Sequence, residues 1–122
     1  MYFRHGCQIS PYANLSIDLN FPHPIGIVIG DGVEIRGGCT IYQNVTIGKR
    51  SKEDVAYPVL EEGCTVYAGA IIAGDICLKK GSVIGAGAVV TKSNKLENDV
   101  LVGIPAVSVK SRKSNSYVSL NA

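Results

Sequence analysis

A period of six residues constrains this chain more than any other feature of its sequence. A first column runs through Pro11, Ile17, His23, Ile29, Ile35, Ile41 and Ile47 and resumes as Leu60, Val66, Ile72, Leu78, Ile84 and Val90. Only Pro11 and His23 in it are not aliphatic. Two residues earlier runs a second column of apolar or small side chains: Ile9, Leu15, Phe21, Ile27, Val33, Cys39 and Val45, then Cys64, Ala70, Ile76, Ser82 and Ala88. Columns two residues apart point to the same side of an extended strand. Three residues after the first column stand Asn14, Asn20, Gly26, Gly32, Gly38 and Asn44, then Gly63, Gly69, Asp75, Gly81 and Gly87. These are the residue types that tolerate a left-handed corner.

An α-helix needs a period of 3.6, and a hairpin meander alternates over longer stretches, so neither fits. The pattern predicts a solenoid of short parallel strands that winds in one direction, with both apolar columns filling a narrow prism. A flexible glycine-rich loop would not hold two apolar columns in phase. The composition suits such a core: 46% of the 122 residues are hydrophobic but only 7% aromatic, with no Trp. A net charge of +2 is too mild to argue for a nucleic-acid partner or a polybasic membrane surface. No apolar run approaches the roughly 18 residues of a membrane span, and Met1 to His5 begins no signal peptide, so a cytoplasmic protein is expected. Cys7, Cys39, Cys64 and Cys77 form no C-x-x-C pair and read as reduced filler rather than a metal or redox site.

The chain is expected to be one domain over residues 1–122. Coils are placed at about 6–47 and 59–107, with an extruded loop at 48–58 and a polar C-terminal tail at 108–122. The loop is inferred because Ile47 to Leu60 is a step of thirteen where twelve would keep phase. Insertions in solenoids map to one face, often the binding face. His23 breaks the first column and is enclosed by Pro22 and Pro24, which fix the backbone around it. It is either a core histidine satisfied by a backbone carbonyl or a fixed base able to take a proton from an alcohol. Lys92, Lys110, Arg112 and Lys113 could meet phosphate groups, or belong to a solvated tail.

The strings Ile29-Gly30-Asp31-Gly32-Val33, Val83-Ile84-Gly85-Ala86-Gly87-Ala88-Val89-Val90 and Val102-Gly103-Ile104-Pro105-Ala106 resemble the hexapeptide-repeat acyltransferases. The segment Pro22-His23-Pro24-Ile25-Gly26-Ile27-Val28-Ile29-Gly30 and the loop ending at Tyr57-Pro58 make the likeness more specific. It is to the catalytic half of serine O-acetyltransferases and to related O-acetyltransferases of surface polysaccharides, over about residues 6–107. The resemblance implies an all-β fold, a left-handed parallel β-helix of about five coils with three hexads per coil. It also implies a homotrimer with active sites between subunits, and acetyl-CoA along the outside of the coils. The helical domain that precedes the coils in serine acetyltransferases has no counterpart in residues 1–10, which are expected only to cap the prism.

Residue by residue, the resemblance makes His23 the catalytic general base. Its orienting carboxylates would stand where this chain has Gln8 and Pro22, so orientation falls to a backbone carbonyl, Asp18 or Asp31. His5, 18 residues before His23, is the other candidate imidazole and reads as an exposed terminal residue. The loop histidine that binds the substrate carboxylate is replaced by Tyr57. Cofactor binding is expected at Ala68, Gly69, Ala86 and Gly87, through backbone groups, with an N–H near Ala68 stabilising the oxyanion. Lys49, Lys92 and Lys110 are the cations assigned to the cofactor. With Gln8 and Tyr57 as acceptor-binding residues, the expected acceptor is a sugar hydroxyl of a surface polysaccharide, since a tyrosine can stack on a pyranose and an amide can bond hydroxyls. The alternatives are free L-serine, in cysteine biosynthesis, and a non-catalytic scaffold subunit. A metal-dependent hydratase on the same fold needs three imidazoles, and the chain has two histidines, so no metal is expected.

Overall fold

The computed structural model describes residues 6–109; His5, Lys110, Arg112 and Lys113 lie outside them. The described residues form fourteen strands of two or three residues. Corner residues recurring at close intervals leave no room for longer ones. The strands stack into three faces of a prism. Face A holds β1 (Gln8–Ile9), β3 (Val28–Ile29), β6 (Thr46–Gly48), β9 (Ile71–Ala73) and β12 (Val89–Val90). Face B holds β2 (Asn14–Leu15), β4 (Glu34–Ile35), β7 (Val59–Leu60) and β10 (Cys77–Leu78). Face C holds β5 (Thr40–Ile41), β8 (Thr65–Val66), β11 (Val83–Ile84), β13 (Val100–Val102) and β14 (Val107–Ser108). Neighbours on faces A and B are parallel and in register, as in Val28↔Thr46 and Thr46↔Ile71. Each coil donates to the next, for example from Thr46 N–H to Ala70 O at 3.0 Å and from Ile71 N–H to Ala88 O at 2.8 Å.

Inside the prism like stacks on like. Ile29, Ile47, Ile72 and Val90 fill the side of face A, Ile35, Leu60 and Leu78 that of face B, and Ile41, Val66, Ile84 and Leu101 that of face C, all buried. Each such side chain is worth about 1.5–3 kcal/mol in removed apolar surface. Cys39 and Cys64 occupy successive coils as free buried thiols, donating to Glu61 O and Lys79 O. The adjacent Cys39 thiol, and then burial, push the Cys64 thiol up.

The register of the first coil differs from the sequence reading. Ile17 is fully exposed and Pro11 and His23 are exposed, whereas Leu15, Leu19 and Phe21 pack on the core. The cause is a longer corner. Asn20 pairs with Thr40 and Val28 with Thr46, so eight steps from Asn20 to Val28 match six from Thr40 to Thr46. The two extra residues lie in the segment Pro22 to Ile25 and shift the inward column by two before it. Asn14 and Asn20 are therefore strand or bridge residues, not corners.

Left-handed backbone is found at Gly38, Gly63, Gly81 and Asn98 between faces B and C. It recurs at Gly26, Asn44, Gly69 and Gly87 between faces C and A. Gly32 does not adopt it, and beside Asp75 it is Gly74 that does.

Winding in one direction ends before the described residues do, because β14 turns back antiparallel to β13. The last coil is closed by polar side chains. Ser93 Oγ and Asn94 Oδ1 accept from Cys77 N–H and Lys79 N–H, both at 2.8 Å, where a further strand would otherwise supply carbonyls. Buried Asp99 accepts from Val100 N–H at 2.9 Å and from the Ser108 hydroxyl at 2.5 Å. These bonds blunt an edge that would otherwise invite strand addition.

The loop from Arg50 leaves the prism between faces A and B. Ile47 and Leu60 lie on successive faces of one coil, as Ile29 and Ile35 do six residues apart, so the loop replaces a single corner and hides no hexad. Asp54 Oδ2 accepts from Arg50 N–H at 2.6 Å and Ser51 N–H at 3.2 Å, and the Arg50 amide holds its carboxyl below the usual carboxylate range. Tyr57 returns the loop by laying its ring across Gly30 and Gly32. A Cβ on Gly32 would overlap that ring, reaching 2.8 Å from Cε2, and one on Gly30 would reach 2.9 Å from Cε1. Gly32→Ala is therefore expected to expel Tyr57 while leaving the coils folded, at a cost of about 1–2 kcal/mol in lost burial. Limited trypsin digestion checks it: cleavage at Lys49, Arg50 and Lys52 should accelerate severalfold, and an unchanged rate would show that the glycines do not seat the loop.

Candidate active site

His23 sits at the edge where face C turns into face A, in the corner that is two residues longer than its counterparts. The corner is built tightly. Ile25 N–H donates back to His23 O at 2.7 Å, and Ile25 O accepts from Asn44 N–H of the next coil at 2.8 Å. Gly26 (φ 65°) follows, and a Cβ there would overlap Asn44 Oδ1. Two prolines and a reversed turn thus hold His23 out of the core, with its side chain exposed. The reading of His23 as a satisfied core histidine does not hold.

The same edge carries, coil by coil, Gln43-Asn44, Ala68-Gly69 and Ala86-Gly87. Gly69 N–H donates to Gln43 O at 3.0 Å and Gly87 N–H to Ala68 O at 2.9 Å, which stacks the corners. The backbone N–H groups of Ala68 and Ala86 donate to no group among the described residues. Nothing lies within 4 Å of a Cβ placed on Gly87. The structure therefore brings Ala68, Gly69, Ala86 and Gly87 onto one edge with His23, and leaves small residues and unengaged N–H donors along it.

Beside this edge, on face C, stand two side chains that sequence reading missed. Tyr42 lies with its ring centroid 6.5 Å from that of His23 and tilted by 41°, and it stacks on Tyr67 at 5.0 Å and 18°. The signal was present in the sequence: Tyr42 and Tyr67 each follow the inward residue of equivalent strands, Ile41 and Val66. Only the register makes them neighbours.

The other assigned residues lie on face A or toward its far end. Gln8 pairs with Val28, and a groove of about 270 Å³ runs between Gln8, Ser10, Val28, Gly30 and Asp31. Tyr57 borders it through Gly30, and Lys49 Nζ lies 4.9 Å from the Tyr57 ring centroid. Lys92 follows the last face A strand and lines a cavity of about 360 Å³ with Asn94, Asp99 and Leu101. Within one chain, Lys49 and Lys92 are thus not on the His23 edge. Neither acidic candidate for orienting His23 is there. Asp31 accepts from the Ser10 hydroxyl at 2.6 Å on the A–B edge. Asp18 accepts from the Ser16 hydroxyl and from Gly38 N–H on the B–C edge, which hold it below the usual carboxylate range. Among the described residues no three His, Cys, Asp or Glu side chains gather in a metal-binding group, and no helix is long and apolar enough to cross a membrane.

No protein-family model matches the chain. A serine acetyltransferase of Helicobacter pylori is 38% identical over 77 residues, which cover 62% of this chain and 45% of that protein. A serine acetyltransferase of Bacillus licheniformis is 36% identical over 75 residues, covering 61% and 35% respectively. Among solved structures, serine acetyltransferase from Vibrio cholerae superposes with a TM-score of 0.76 at 34% identity, over 81% of this chain and 38% of that one. A coenzyme A complex of the Brucella abortus enzyme gives 0.77 at 33%, over 81% and 40%. The chain spans less than half the length of each of these proteins. Its three faces of stacked, almost wholly parallel strands match the left-handed β-helix of those structures. By sequence and by fold alike, the chain is a serine acetyltransferase-like hexapeptide-repeat β-helix.

Proposed function

We propose that this chain is an acetyl-CoA-dependent O-acetyltransferase with His23 as general base. The observation that carries the reading is the shared edge: a histidine turned out of the core by its prolines stands in line with the small corners and unengaged N–H groups of Ala68 and Ala86. Lying along that edge, the pantetheine arm would bring its thioester toward His23. The acceptor oxygen attacks the thioester carbonyl carbon as the imidazole takes its proton. A backbone N–H, that of Ala68 being the candidate, stabilises the oxyanion. The C–S bond then breaks, and the imidazolium returns the proton to the leaving thiolate.

For the acceptor, the relatives' names favour free L-serine over the polysaccharide sugar preferred from sequence. A structural neighbour from soybean is complexed with serine. The Tyr57 ring, meanwhile, is engaged by Gly30, Gly32 and Lys49, which removes much of the case for its stacking on a pyranose. L-serine is therefore the acceptor of this proposal. A homotrimer belongs to it as well. Ile25, Val28 and Ile71 expose apolar surface on and beside face A, and association would bring one chain's His23 edge toward another chain's groove at Gln8, Ser10 and Asp31.

His23→Ala is expected to lower kcat by about 10²- to 10⁴-fold while leaving CoA affinity unchanged by calorimetry. Thiol release from acetyl-CoA with L-serine and with a sugar panel in parallel checks both parts; full turnover by His23→Ala would remove the base, and turnover of sugars alone would remove serine. Ala86→Leu should weaken CoA binding at least tenfold in a protein that stays folded, because its side chain would fill the corner the arm must cross. Equal affinity by the same calorimetry would place the arm elsewhere.

A further inference from the structure

We infer that the stacked Tyr42–Tyr67 pair is the side wall of the thioester channel, holding the arm of the acyl donor beside His23. The inference rests on the reading of the His23 edge given above. The corners form two parallel columns. One, on the edge itself, is Gln43, Ala68 and Ala86; the other, one residue earlier and on face C, is Tyr42, Tyr67 and Gly85. A linear arm running down the small column toward His23 passes Gly85, then Tyr67, then Tyr42. The rings stack at about the spacing of adjacent strands, so they form a continuous apolar surface over two coils, ending at the His23 ring.

Tyr67 is the exposed member, at 42%. It stacks on Tyr42 on the His23 side, while the next coil places only Gly85 in its column. That leaves the ring open at the point where the arm would arrive. Val102 closes the channel beyond, since a Cβ on Gly85 would come within 2.9 Å of its Cγ1.

A second observation lies in the edge column. Gln43 Oε1 is the one buried side-chain nitrogen or oxygen without a hydrogen-bond partner among the described residues. An unsatisfied buried acceptor is costly, and the amide N–H groups of a pantetheine arm are donors of the kind it lacks. The wall supplies apolar contact to the methylene segments and Gln43 supplies an acceptor, next to the N–H donors of Ala68 and Ala86. Neither tyrosine takes part in proton transfer; both are positioning residues. An acceptor hydroxyl would approach His23 from the side away from the stack, because the Tyr42 ring is already covered by Tyr67.

The experiment measures binding by calorimetry and turnover separately, using CoA and S-acetylpantetheine, which lacks the nucleotide. Tyr67→Ala should weaken both ligands by the same factor, about tenfold, and raise the KM for acetyl-CoA without moving that for the acceptor; Tyr67→Phe should restore both. Gln43→Leu should weaken both ligands while leaving the melting temperature equal or higher. Unchanged affinity in Tyr67→Ala and Gln43→Leu would overturn the wall, as would a shift confined to the acceptor KM. Because affinity is read without turnover, a wild-type protein that binds CoA but does not acetylate serine would fail the proposed reaction and leave the wall standing. A wild-type protein that binds neither ligand would end both.

Discussion

Everything in this molecule depends on the ladder of hydrogen bonds between successive coils. A strand of two residues has no stability of its own, and here nearly every strand is that short. Each becomes stable because its amides meet carbonyls one coil away and its inward side chain lands on a like side chain of the next coil. The two requirements reinforce each other. Parallel, in-register stacking is the arrangement that aligns equal side chains, and equal side chains penalise any slip of register. The corners must then repeat with the same geometry, which is why left-handed residues align along two of the three edges.

A ladder so regular makes its departures informative. The two added residues between Asn20 and Val28 lift His23 out of a position that would otherwise be buried, and the prolines on either side of it keep the added backbone from collapsing inward. The other large departure, the loop ending at Tyr57, is tied down by two glycines that leave room for one ring. At the far end, Ser93, Asn94 and Asp99 do with side chains what a further coil would have done with backbone. Regular coils thus form the scaffold, and each interruption of them sets residues outside the repeating core or ends the stack.

Much of the fold was legible because its period is short and its corner residues are chemically restricted. From Ile27 onward the aliphatic columns in the sequence are the buried columns of the prism. Before that point only the second column faces inward, through Ile9, Leu15 and Phe21, while Pro11, Ile17 and His23 of the first are exposed. Pro11 and Ile17 match the column by spacing alone, and an insertion of two residues keeps an apolar two-residue pattern in phase while exchanging its members. The lone histidine of the described residues, enclosed by prolines, was legible as a local rule broken, and the structure holds it outside the core. The tyrosine stack escaped notice because Tyr42 and Tyr67 are separated by a loop of irregular length, so no fixed period links them.

By itself the sequence determined the class of architecture, since a six-residue recurrence of aliphatics and left-handed corners admits only short strands stacked into a solenoid. It also determined that His23 was held apart from the core pattern, through the fixed φ of its prolines. Only the tertiary structure decided what shares an edge with what. Stacking coils converts a separation of about 18 residues, or of 25 across the loop, into the distance between neighbouring strands. That conversion puts Ala68, Ala86, Tyr42 and Tyr67 along the line leading to His23, and sets Gln8 within face A and Asp31 and Tyr57 at its other end. Distance along the chain carries no such information until the register of every coil, including the one irregular corner and the one loop, has been fixed by packing.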